Sequence, residues 1–99
     1  MEELIAKLYN EFYLNIDEIS RTTKMSKQSV AMCLWKHRME RSGALTMSLR
    51  KRLKTLEKEE KIRYVKKARD LKIPYSILAK LLGVSHETVR KYANTEISL

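Results

Sequence analysis

Six residues within a seven-residue span, Ser85, His86, Glu87, Thr88, Arg90 and Lys91, bring together hydroxyl, imidazole, carboxylate, guanidinium and ammonium groups. Such a set suits hydrogen bonding to a polar partner, since an arginine offers a fork of parallel donors and a glutamate accepts. Bond-making chemistry is poorly supplied by contrast. Cys33 stands alone, His37 and His86 lack a companion set of Cys, Asp or Glu, and Glu57, Glu59 and Glu60 read as a solvated charge run. No catalytic centre, metal or cofactor is expected, and the chain is expected not to be an enzyme.

Charge points the same way. The 99 residues carry a formal +9 with an isoelectric point near 9.8, a balance that favours a polyanionic partner. Residues 1–20 hold five acidic side chains and one basic, whereas residues 21–56 hold one and ten, so the attraction lies beyond the first helix. Arg50, Lys51, Arg52 and Lys54 form one basic cluster, and Arg63, Lys66, Lys67 and Arg69 a second. Contacts from these to phosphate would fix register without specifying bases. A single cysteine rules out an internal disulfide, and no apolar run reaches membrane-spanning length. A reducing cytoplasm is the expected setting, with nucleoid association when DNA is bound and no membrane partner.

The elements that must position these groups are helical. Glycine occurs only at 43 and 83 and proline only at 74, which argues against strands and long loops. Over residues 2–13 Leu4, Ile5, Leu8 and Phe12 fall on one side of a helix. Asn15 followed by Glu18 has the spacing of a capping box, which predicts a helix from Ile16 to about Thr23. Ser26 then caps a third helix from Lys27 to about Glu40, and Gly43 is placed to leave it in a left-handed conformation. Leu45, Leu49, Leu53 and Leu56 make a seam that fails at residues 57–61, where the chain either breaks near Lys58 or continues as one long helix with a shifted face. Ile62, Val65, Ala68 and Leu71 set the new face, and Pro74 ends it. The chain thus reads as all-α, with a three-helix lobe over residues 1–42 and a second helical lobe over residues 43–99.

Residues 73–94, Ile-Pro-Tyr-Ser-Ile-Leu-Ala-Lys-Leu-Leu-Gly-Val-Ser-His-Glu-Thr-Val-Arg-Lys-Tyr-Ala-Asn, carry the strongest pattern. Ala79 is small where a second helix would cross, Gly83 supplies the backbone angles of a tight turn, and Ser85 caps that second helix. Ile77, Leu78, Leu82, Val84, Val89 and Tyr92 would form the apolar side. The pattern resembles the helix-turn-helix of bacterial and phage repressors and of the promoter-reading region of sigma factors, over roughly twenty residues. The resemblance implies that the second helix enters the major groove of duplex DNA, with Ser85, His86, Glu87, Thr88, Arg90 and Lys91 toward the bases.

A shift of 59 residues aligns Ile19 with Leu78, Ser20 with Ala79, Met25 with Val84, Ser26 with Ser85, Val30 with Val89 and Cys33 with Tyr92. A second unit of the same kind is therefore expected over residues 16–35, with Lys24 in place of the turn glycine. Two such units on a short chain resemble the bipartite DNA-binding regions of some transposases and phage regulators. The copies differ at the outward face. Ala31, Met32 and Trp35 stand where the later unit has Arg90, Lys91 and Asn94, leaving Ser26, Lys27 and Gln28 as readers. Such an apolar stripe would be covered by the second lobe or by a partner chain. Trp35 suits a core anchor first, then an interface anchor, then a platform for stacking bases.

The function expected from these features is sequence-specific binding of double-stranded DNA by a small transcriptional regulator of phage, plasmid or bacterial type, with a homodimer as one assembly. Two rivals remain. One is an accessory protein of recombination, replication or partition that bridges sites. The other is an interaction module that grips a polymerase or repressor through Met32 and Trp35.

Overall fold

The computed structural model describes residues 2–39 and 43–95, and every regular element in them is helical. The order is α1 (Glu2–Asn10), α2 (Ile16–Thr23), α3 (Lys27–Lys36), α4 (Gly43–Lys54), α5 (Lys58–Asp70), α6 (Tyr75–Leu82) and α7 (His86–Asn94). The helices group into two units, Met1–Met47 and Ser48–Leu99, so α4 begins in the first and ends in the second.

In the first unit α1 packs against α2 and α3. The chain leaves α1 three residues earlier than its apolar spacing suggests, and Tyr13 turns it in a left-handed conformation (φ 58°). Phe12 and Leu14 are nonetheless buried, from the connection rather than from the helix, alongside Ile5 and Leu8. The capping box forms as spaced. The Asn15 side chain accepts from the Glu18 amide at 2.8 Å, and the Glu18 carboxylate accepts from the Asn15 amide at 2.9 Å. Glu18 is 4% exposed, and the Asn15 amide gives its carboxylate a hydrogen-bond partner there. Ile19, Val30 and Leu34 complete the core.

Helix α3 ends at Lys36, short of Glu40, which lies outside the described residues. The left-handed exit expected of Gly43 is made by Arg38 (φ 54°). The Arg38 amide donates to the Trp35 carbonyl, and the Met39 amide donates across to the Leu34 carbonyl at 2.9 Å. That pair of bonds satisfies carbonyls that a helix end otherwise leaves open. Gly43 instead opens α4. Arg41 and Ser42, part of the expected boundary between lobes, lie outside the described residues.

The leucine seam packs at one end only. Leu53 is buried, Leu49 and Leu56 are half-buried, and Leu45 is 50% exposed. Of the two readings of the region beyond, a break is found: α4 stops at Lys54 and α5 starts at Lys58. Glu59 and Glu60 in the first turn of α5 favour that start through the helix dipole. Ile62, Val65 and Ala68 turn inward as their spacing requires. Lys72 in a left-handed conformation (φ 63°) closes α5, with the Ile73 amide donating to the Ala68 carbonyl at 3.2 Å. Pro74 then stands at the N-cap of α6. In this unit α5 packs on α6 and α7.

Candidate nucleic-acid interface

Pro74 is pre-set for a helix start, and the apolar run behind it buries Ile77, Leu78, Leu81 and Leu82 against α5 and α7. Leu81 is missing from the apolar side expected on sequence, although its place one turn beyond Ile77 puts it on the same face. Gly83 takes the left-handed conformation at φ 67°, and the Val84 amide donates to the Ala79 carbonyl at 3.0 Å. The turn is thereby reduced to residues 83–85. Ser85 adopts extended geometry and its Oγ accepts from the Thr88 amide at 3.1 Å.

Val89 and Ala93 fix the roll of α7. They lie four residues apart, are both buried, and therefore point the same way. Helix geometry puts Glu87, Lys91 and Asn94 on the opposite side, where they are exposed; Arg90 on the flank and His86, one turn before Val89, are exposed too, and Thr88 is half-buried. Among the described residues no ion pair holds Arg90 or Lys91. The hydroxyls of Ser85 and Thr88 lie 2.8 Å apart and are engaged with each other in holding the helix start. The His86 ring sits 5.8 Å from that of Tyr75, tilted by 58°, which ties the first residue of α7 to the first of α6. Glu87, Arg90 and Lys91 are left as the charged groups turned outward.

Two basic residues lie against this helix or the turn before it. A Cβ placed on Gly83 would come 3.3 Å from Cγ of Lys54, so the stem of that lysine lies against the turn in front of α7. Lys51 and Arg52 are exposed and Arg50 is half-buried. Arg69 is used differently from the rest of its cluster: its Nη1 donates to the Ala93 carbonyl at 3.1 Å, where a cation satisfies the end of α7 and opposes its dipole. Arg63 and Lys67 are exposed and Lys66 is half-buried.

The pair α2–α3 repeats this construction at the expected shift. Lys24 is left-handed (φ 62°) where Gly83 is, and Ser26 caps α3 by accepting from the Ser29 amide at 3.1 Å. Ser20, in the place of Ala79, donates its hydroxyl to the Met25 carbonyl at 2.5 Å and so braces the turn that lacks a glycine. Its outward face differs. Ser26, Lys27 and Gln28 are exposed, but Lys27 Nζ lies 2.8 Å from Asp17, which also holds Arg21 at 3.2 Å. The hydrogen bond from Lys27, and after it the lysine's charge, hold the Asp17 carboxyl below its ordinary pKa. Further along α3, Ala31 is half-buried, Met32 is 59% exposed and Trp35 is 68% exposed. Trp35 therefore anchors no core, because Val30 and Leu34 occupy the inward positions of the helix.

Charge divides between the units as well. Met1–Met47 holds seven Lys and Arg against six Asp and Glu, a net +1, whereas Ser48–Leu99 holds fourteen against six, a net +8. Among the described residues no group of His, Cys, Asp and Glu could hold a metal ion, and no helix is long and apolar enough to cross a membrane. No protein-family model matches the chain, and no curated protein or solved structure matches it either.

Proposed function

We propose that the chain binds double-stranded DNA in a sequence-specific manner through α7 and acts as a small transcriptional regulator by occupying its site. The observation that carries this reading is the roll of α7. Val89 and Ala93 are spent on the core, which leaves Glu87, Arg90 and Lys91 outward on a unit of net charge +8. A helix so exposed, with short side chains at its start, fits the width of the major groove. Lys51, Arg52 and Lys54 would meet phosphates, releasing counterions and making affinity steeply dependent on salt. Arg90 is the reader of guanine, and Glu87 accepts from cytosine.

Selection of bound duplexes from a random pool tests the reading directly: an enriched motif supports it and no enrichment ends it. On the selected duplex, Arg90→Ala is expected to relax discrimination at one base position by about 1–3 kcal/mol. Lys51→Ala is expected instead to weaken all duplexes alike and to lower the salt slope by about one. An Arg90→Ala footprint identical to that of the parent chain would remove Arg90 from the reading role.

The residue-by-residue match of α2–α3 to α6–α7 favours a second reading, an accessory protein that bridges two DNA sites through two heads. The ion pair on Lys27 and the apolar residues on α3 weigh against it. Footprint length separates the two readings, since tandem heads would protect an asymmetric site longer than one groove turn.

A further inference from the structure

Among the described residues the large apolar side chains that remain exposed are Ile16, Met32, Trp35, Leu45 and Met47, and all five belong to the first unit. The second unit, where the charge is, shows none in its described part. Met32 and Trp35 are adjacent turns of one helix, three residues apart, with Gln28 one turn before them. By the internal repeat this is the face that α7 fills with Glu87, Lys91 and Asn94. Burying a tryptophan removes roughly 150–250 Å² of surface from water, so leaving it exposed is costly unless something covers it.

We infer that the α3 face is an interface for a second copy of this chain, with the two α3 helices antiparallel and Met32 of one copy against Trp35 of the other. Two features on the molecule select this occupant. Copies brought together through their second units would meet at a net +8 each, whereas the first units meet at +1, so self-repulsion is small only here. A two-fold pairing makes the face complementary to itself, and a thioether against an aromatic ring is a favourable contact. Duplex DNA is a poor occupant, because Lys27 is already paired and Met32 and Trp35 offer no cation toward phosphate.

The size of the patch sets the strength. Two copies of Met32 and Trp35 supply several hundred Å², short of the roughly 1,200 Å² typical of long-lived specific complexes. Association is therefore reversible and visible as a dependence on concentration. It does not rest on the DNA reading, so association is first measured without DNA and the result stands whatever the duplex selection returns.

Trp35 is the single tryptophan of the chain, and its emission reports the burial of this face alone. The experiment follows that emission together with sedimentation of the full chain from micromolar to millimolar concentration. The expected result is a blue shift that tracks the rise from monomer to dimer mass. Met32→Lys keeps the probe, places like charges across the two-fold, and should move the midpoint at least about tenfold higher, with circular dichroism unchanged. If that variant does not fold, Trp35→Lys followed by sedimentation alone takes its place. A monomer at every concentration, or association that both variants leave untouched, overturns the inference. So does quenching of Trp35 by added duplex at concentrations where the chain is monomeric, which would make the face a stacking platform for bases.

Discussion

At a shift of 59 residues the two helical pairs ask the same of their cores and opposite things of their surfaces. Ile19 and Leu78 are both fully buried, as are Val30 and Val89, and Lys24 and Gly83 are both left-handed. The correspondence reaches further back than the sequence suggests. Leu14 matches Ile73, both buried, and Ile5 and Leu8 match Ile62 and Val65 at a shift of 57, because two more residues separate the equivalent core positions in the second unit. On the outside the likeness ends. One unit shows Met32 and Trp35 on a nearly neutral body, and the other shows Arg90 and Lys91 on a strongly basic one. Packing restricts inward positions to a few residue types, whereas outward positions are free to suit the partner.

The largest effects that could break this comparison lie in the matched cores. Ile19→Ala and Leu78→Ala each remove a fully buried side chain and should cost about 2–5 kcal/mol. Amide exchange should show the loss mainly in the unit that holds the substitution. If Ile19→Ala lowered protection throughout Ser48–Leu99 as much as in its own unit, the two cores would not be separate.

The turns come next, with opposite signs. Gly83→Ala puts a side chain into a left-handed position and should destabilise by about 1–2 kcal/mol, the Lys54 stem being flexible enough to yield to the added methyl. Lys24→Gly relieves the same strain at the matching position, offset by the entropy of glycine in the unfolded chain, and should stabilise by less than about 1 kcal/mol. Thermal melts of the two variants read the sign. Equal destabilisation by both would mean that Ser20 has adapted its turn to a side chain.

The caps should behave alike. Ser26→Ala and Ser85→Ala each lose the oxygen that accepts the amide three residues on, at about 1 kcal/mol apiece. Melting measurements that separated them widely would show that one helix start draws support from elsewhere. The smallest effect concerns Asp17, whose folded-state pKa is depressed by Lys27. A depressed carboxyl contributes stability above its unfolded pKa, and that contribution fades as pH falls below about 4. Lys27→Ala should return the Asp17 titration toward the ordinary range, followed by carboxyl chemical shift, and free the first unit of its pairing without moving the second.

Legibility of the molecule tracks the range of the forces involved. The start and end of α2, the caps at Ser26 and Ser85 and the inward face of α5 could be read because each depends on neighbours within one or two turns, whereas α7 turns Ala93 inward with Val89 and leaves Tyr92, expected on that side, half-buried. The exits at Arg38 and Lys72 could not, since a search for glycine overlooks left-handed residues whose strain is offset by bonds from the following amide to a carbonyl five residues back. The outward set was legible on α7 and less so on α3. The pairing of Lys27 with Asp17 links residues ten apart in sequence on two different helices, and nothing local announces it.

Amino-acid order alone settled that this chain is helical, where most of its helices begin, and which side chains repeat at a distance of 59, because helical periodicity and cap chemistry act over a few residues. Folding in three dimensions decided the rest. It left Trp35 outside, buried Leu53 alone of the four seam leucines, and turned Arg90 and Lys91 away from the core, since burial is fixed by what distant segments bring alongside a side chain and not by the side chain itself.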